Sequence, residues 1–151
     1  MSNSILPVIS LIVERYVSKY LKNYLETNNL LYNRQSGFRK HHLCQTALIK
    51  ILDDWISAVD KNEIVGTLFL DLSKVFDLVN HDILLKERSH YGLHNNAIDW
   101  FKSYLHSRTQ KTFISGEQSS PGEVVASVPQ GSVLGPMLFA IYINDLPLVL
   151  S

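Results

Sequence analysis

One short run constrains this chain more than any other feature. Residues 64–70, Ile64-Val-Gly-Thr-Leu-Phe-Leu70, are almost continuously apolar and end abruptly at Asp71. A run this short is far below the ~18 apolar residues of a membrane helix. It also lacks the in–out alternation of a strand with one wet face. It therefore predicts a strand within residues 62–72 that is covered on both faces. A strand of that kind needs neighbouring strands and covering helices, so the rest of the chain must supply them. With 151 residues, 46% of them hydrophobic, there is enough apolar surface for one core.

The surrounding pattern supplies the helices. Ile9, Ile12, Val13, Tyr16, Val17, Tyr20, Leu21 and Tyr24 recur at three- and four-residue spacing, with Glu14, Arg15, Lys19 and Lys22 between them. This predicts a helix over 8–26. A second helix is expected over 43–59, with Leu48, Ile51, Leu52 and Trp55 on one face. Two more are expected over 82–91 and 96–107, separated by Gly92, with Asn95 as N-cap. Thr109–Ser115 and Glu123–Val128 read as strands joined by the turn-rich segment 116–122. Ser132 can cap a last helix running towards Asn144. The order is helix, helix, strand, helix, helix, strand, strand, helix. That is an α+β chain with a small antiparallel sheet packed by helices.

Charge and cysteine content exclude several classes. Net charge is zero, but residues 14–50 hold seven Lys/Arg against two acids, and residues 51–99 hold four against nine. A basic segment beside an acidic one fits a phosphate-contacting surface next to a cation site; a self-compensating solvated surface fits it too. One cysteine, Cys44, excludes a disulfide framework and suits an intracellular location, nucleus or cytoplasm. Residues 5–13 are apolar but lack a basic n-region and a small-residue cleavage site, so neither secretion nor membrane insertion is expected. His41 with His42, and His90 with His94, give no third ligand for zinc.

Four positions could carry chemistry. Asp71, at the mouth of the strand, could bind a hard cation such as Mg²⁺; alone, it reads more commonly as a turn cap. Phe76 could close the floor of a nucleotide site and exclude a ribose 2′-OH, or belong to the core. Gly131 in Val128-Pro-Gln-Gly-Ser132 permits close backbone approach before a helix N-terminus, and Gln130 offers both a donor and an acceptor. As a bare tripeptide, Pro-Gln-Gly is also an ordinary turn.

These signals fall in an order. Leu6-Pro-Val-Ile-Ser10 with Glu14-Arg15 is followed by Gln35-Ser-Gly-Phe-Arg-Lys40 with Thr46-Ala-Leu48, then Phe69-Leu-Asp-Leu-Ser-Lys-Val-Phe-Asp77 with His81-Asp-Ile-Leu-Leu85. Last comes Val128-Pro-Gln-Gly-Ser-Val-Leu-Gly-Pro-Met-Leu-Phe139 with Ile143-Asn-Asp-Leu-Pro147. In this order they resemble the reverse transcriptase domain of LINE-type retrotransposons, those lacking long terminal repeats.

The resemblance implies the fingers and partial palm of a right-hand polymerase, with about 1–63 fingers-like and about 64–151 palm with a fingers-like insertion. It implies RNA-templated addition of deoxynucleotides from their triphosphates to a DNA primer 3′-OH by a two-metal mechanism using Mg²⁺ or Mn²⁺. On that pattern Asp71 is the first catalytic aspartate and a metal ligand, and the Leu72 carbonyl is a backbone ligand. Phe76 is the steric gate. Val75 stands beside it where the family usually has alanine. Gln130 and Gly131 contact the incoming nucleotide, and Arg39 and Lys40 lie near template or phosphates.

The family's Ala-Asp-Asp hairpin, which follows the Asn-Asp-Leu-Pro segment, is not among these 151 residues. They are therefore expected not to extend a primer by themselves. The alternative reading is a non-catalytic nucleic-acid-binding remnant or a degenerate retroelement relic.

Overall fold

The computed structural model describes residues 6–39, 42–124, 126–129 and 131–149, with the side chains of 87–90, 148 and 149 outside the description. Among the described residues, six helices and four two-residue strands follow in the order α1 (Val8–Thr27), α2 (Cys44–Asp60), α3 (His81–His90), α4 (Asn95–Leu105), β1 (Thr109–Gln110), β2 (Phe113–Ile114), β3 (Glu117–Gln118), β4 (Gly122–Glu123), α5 (Gly135–Tyr142) and α6 (Leu146–Val149). The expected helices are all present within a few residues of their predicted bounds, except that the last divides into α5 and α6. The N-cap of α4 is His94, whose Nδ1 accepts from the Asn96 N–H at 3.4 Å, one residue before the expected Asn95.

The chain forms two compact units. One comprises residues up to Leu31 together with those from Lys74 onward; the other is Tyr32–Ser73. The core belongs to the first. Leu21 and Leu25 of α1, Leu84 of α3 and Phe101 and Leu105 of α4 pack with Val79, Val128 and Leu134 around α5. Six of the eight α5 residues are buried. A helix apolar on every side has no wet face to offer, so its place is the centre of the unit. Pro136 in its first turn suits an N-terminus, where the missing N–H has no intrahelical partner to lose. Three long-range polar bonds join the ends of elements around this core. Tyr24 donates to the Tyr91 carbonyl at 2.9 Å, and Asn144 Nδ2 donates to the Leu30 carbonyl at 3.0 Å and to the Tyr91 hydroxyl at 2.7 Å.

Tyr32–Ser73 contains no buried residue among those described. Helix α2 begins with the Thr46 hydroxyl accepting from the Leu43 N–H at 3.0 Å, and an exposed ion pair joins Arg34 to Asp54 at 3.2 Å. Leu48, Ile51 and Leu52 of the predicted apolar face are exposed.

Three expectations are corrected. The doubly covered strand over 62–72 is absent: these residues form a turn followed by irregular backbone, and Phe69 is 76% exposed. A strand exists only where a neighbour completes its ladder, and the strand pairings of the described residues are β1 with β4 and β2 with β3 alone. The small sheet is not packed by helices. It is a thin antiparallel ribbon in two short ladders, Thr109↔Glu123 with Gln110↔Gly122, and Phe113↔Gln118 with Ile114↔Glu117, every strand residue being exposed. The two-residue turn Ser115-Gly116 has φ of 51° and 89°. Both signs are those of a type I′ hairpin, whose twist matches the strands it joins. This inner turn shortens the predicted strands. Finally, the packed stripe of α1 is Glu14, Leu21 and Leu25 with Val17 and Tyr24 partly buried beside them, while Ile9, Ile12, Val13, Tyr16 and Tyr20 are exposed. Periodicity locates an apolar face; which part of it is covered depends on the neighbours that reach it.

Candidate functional site

The residues singled out from the sequence divide between the two units. Arg39, Asp71 and Leu72 lie in Tyr32–Ser73, and Val75, Phe76 and Gly131 lie in the other. Lys40 and Gln130 lie outside the described residues.

In the smaller unit, Asp71 and Leu72 are exposed. Arg39 closes its own loop: Nη1 donates to the Tyr32 carbonyl at 3.1 Å and the Gln35 carbonyl at 3.4 Å. A guanidinium carries five N–H donors in a fixed fork, so a phosphate contact would draw on the donors that do not serve the loop.

In the larger unit, the segment after Ser73 turns sharply. Lys74 takes a φ of 53°, and the Asp77 N–H returns to the Lys74 carbonyl at 2.9 Å. The turn sends Val75 and Phe76 inward, where both are half-buried against the core. The Phe76 ring meets Phe139 of α5, centroid to centroid at 5.0 Å. Its backbone carbonyl accepts the Val128 N–H at 2.9 Å, and the Val79 carbonyl accepts the Ser127 N–H at 3.0 Å. The Pro-Gln-Gly segment therefore starts from a backbone splice to the Phe76 segment. A third tie comes from His81, 5% exposed, whose Nε2 lies 2.8 Å from the Ser127 carbonyl. A carbonyl only accepts, so Nε2 carries the proton.

The loop itself is tightly turned. Gly131 has a φ of 92°, a conformation open chiefly to glycine. The Ser132 N–H donates to the Pro129 carbonyl at 3.1 Å, and the Ser132 hydroxyl accepts the Gly135 N–H at 2.7 Å. The N-cap of α5 is Leu134, not the expected Ser132, whose hydroxyl binds the Gly135 N–H from two residues before that position. At Gly135 any larger residue meets resistance, since a Cβ would lie 2.8 Å from Ser132 Oγ and 3.2 Å from the Pro129 carbonyl.

Beneath the loop sits a group that sequence reading treated as part of a polar face. Glu14 is 1% exposed. Its Oε2 accepts the Val133 N–H at 2.8 Å, and its Oε1 accepts the Tyr104 hydroxyl at 2.9 Å and the Ser10 hydroxyl at 3.3 Å. Tyr104 stacks on Trp100 at 5.4 Å and lies under the Arg108 guanidinium, 5.1 Å from its centroid. Burial, and next the adjacent Glu14 carboxylate, holds the Tyr104 phenol above its ordinary pKa. The only sequence signal for Glu14 was its position beside Arg15 in the first motif, which does not reveal burial.

Elsewhere on this unit, a cleft of about 420 Å³ is lined by residues including His81, Asp82, His106, Arg108 and Glu123. Its charges are of mixed sign, and it includes none of the expected nucleotide contacts. Among the described residues no three His, Cys, Asp or Glu side chains gather as a metal cluster. No helix among them is long and apolar enough to cross a membrane.

Comparison with known proteins agrees with the order of the motifs. Residues 1–150 match the family model described as reverse transcriptase (RNA-dependent DNA polymerase). The chain is 34% identical, over 95% of its length, to the probable RNA-directed DNA polymerase from transposon X-element of Drosophila melanogaster. It is 32% identical, again over 95% of its length, to the RNA-directed DNA polymerase from mobile element jockey of Drosophila funebris. A more distant relative, the putative COX1/OXI3 intron 1 protein of Saccharomyces cerevisiae, is 26% identical over 83% of the chain and is matched over 14% of its own length. The chain spans 16% of the length of the two Drosophila relatives. With a family match along nearly every residue and Phe76 spliced to the Pro-Gln-Gly loop, the chain belongs to the reverse transcriptase (RNA-dependent DNA polymerase) family, of the type found in retrotransposons without long terminal repeats.

Proposed function

We propose that this chain forms part of an RNA-directed DNA polymerase that extends a DNA primer 3′-OH with deoxynucleoside triphosphates on an RNA template. The observation that carries this reading is the backbone bond from the Val128 N–H to the Phe76 carbonyl, 2.9 Å long. It holds an aromatic ring and a glycine turn in one unit, which suits a sugar-excluding gate beside a nucleotide-contacting loop. In this reading Phe76 excludes a ribose 2′-OH, Val75 narrows the same wall, and Gly131 and Gln130 meet the incoming nucleotide. Arg39 and Lys40 contact template or phosphate. The division into a fingers-like part over about 1–63 and a palm part over about 64–151 belongs to the same proposal.

Members of this family use divalent metal ions. Here the fit is partial. The Asp71 carboxylate is exposed, and no cluster of three ligands exists among the described residues. Mg²⁺ or Mn²⁺ would be held by Asp71 and the Leu72 carbonyl together with further ligands, because a hard octahedral cation needs more than one carboxylate to be placed. When bound, such ions polarise phosphoryl oxygens.

The test is primer extension by the polypeptide read from the uninterrupted frame that contains these residues. Extension is expected to be lost in Asp71→Asn and to accept ribonucleotides more readily in Phe76→Ala. Extension that survives Asp71→Asn would overturn the catalytic reading. Salt-dependent binding of primer–template without extension, weakened by Arg39→Ala, would favour a nucleic-acid-binding remnant.

A further inference from the structure

Glu14 is fully buried, and its hydrogen-bond partners are all neutral donors rather than a bonded cation. Its charge is met only by dipoles, the Val133 N–H and the hydroxyls of Tyr104 and Ser10. Burying a carboxylate is a poor route to stability, because a well-packed apolar residue serves a core as well or better. What the carboxylate does provide is geometry. Its two oxygens accept from three donors at once, and one of those donors is the backbone N–H two residues beyond Gly131. The loop is thereby held at both ends. The Phe76 carbonyl takes the Val128 N–H before the glycine turn, and Glu14 takes the Val133 N–H after it. Tyr104, stacked on Trp100, fixes the carboxylate from the other side.

We propose that Glu14 is a positioning residue for nucleotide binding, its buried carboxylate setting the backbone of the Gly131–Val133 turn from helix α1. This rests on the nucleotide-contact reading of that turn. The first helix then does more than fill the core, since a change within α1 reaches the loop through a single side chain.

Two readouts on the polypeptide read from the uninterrupted frame that contains these residues test this. The first is amide hydrogen exchange, resolved residue by residue. In Glu14→Ala the Val133 amide is expected to exchange about tenfold faster or more, while the core amides of Leu84 and Leu105 keep their rates. Glu14→Gln keeps one carbonyl acceptor and is expected to fall between. The second is binding of dTTP in the presence of Mg²⁺ and a DNA primer annealed to an RNA template. Affinity is expected to drop about fivefold or more in Glu14→Ala, with partial rescue in Glu14→Gln.

Equal acceleration at Val133 and in the core would make Glu14 merely structural and overturn the proposal. So would an unchanged Val133 amide, or unchanged dTTP affinity. A wild-type polypeptide from that frame that binds no dTTP overturns the nucleotide reading itself, whatever the exchange rates show. Should Glu14→Ala fail to fold, Glu14→Gln and Tyr104→Phe decide on the same two readouts.

Discussion

Tyr104 illustrates how one buried side chain carries a solution property. Its hydroxyl donates to Glu14 at 2.9 Å, and burial followed by that carboxylate raises its pKa. In the unfolded chain the same phenol titrates near its free value of about 10. The folded state thus keeps the proton to higher pH than the unfolded state. Stability from this group is fully present below that value and is lost as pH rises from there through the raised folded pKa. Urea midpoints measured at pH 7 and at about pH 10.5 are expected to fall more steeply in the wild type than in Tyr104→Phe, which has no such proton to hold. Phe76 and Gly131 could be singled out from the sequence because they sit in ordered motifs. Glu14 could not, because a carboxylate in an amphipathic helix reads as the wet face. Its burial follows from donors that arrive 90 and 119 positions away along the chain.

At the scale of elements, periodicity did not decide which helices are packed: α2 carries a clear apolar face that stays exposed, whereas α3 packs without one having been read. Helix α3 packs against α4 and α5, and its start is fixed by Asn80, whose Oδ1 accepts the N–H groups of Asp82 at 2.9 Å and Ile83 at 3.1 Å. An N-cap of this type contributes about 1 kcal/mol. Asn80→Ala is expected to cost about that much in chemical denaturation, and Asn80→Asp to restore most of it. The ribbon and the apolar run were less legible. The turn chemistry of Ser115-Gly116 placed the hairpin tighter than the spacing of Gly116 and Gly122 suggested. The run over 64–70 has strand composition, but a strand is a relation between segments. Its backbone groups need a partner that is absent from the described pairings.

For the whole molecule, stability is uneven. Among the described residues, all the buried apolar ones belong to the unit that combines the segments up to Leu31 with those from Lys74 onward, and none belongs to Tyr32–Ser73. Backbone hydrogen bonds over an unburied segment open at low free-energy cost. Hydrogen exchange is therefore expected to show the slowest amides at Leu84, Leu105 and Leu138, near the global unfolding rate. The α2 amides should exchange faster by about three orders of magnitude or more. Equal protection in both units would show that α2 is covered in solution.

The sequence alone determined the family, the helices and the local turns. These depend on residue order, on a 3.6-residue period and on glycine or capping chemistry within a few positions, all of which are short-range properties. Tertiary structure decided which faces are covered. It buried Glu14 and left Ile12 61% exposed, made α5 the centre of the core, and spliced Phe76 to the Pro-Gln-Gly loop. Burial and long-range hydrogen bonds are settled by segments distant in the chain. A hydrophobic pattern states how much surface seeks cover, and only the packed neighbours determine which surface receives it.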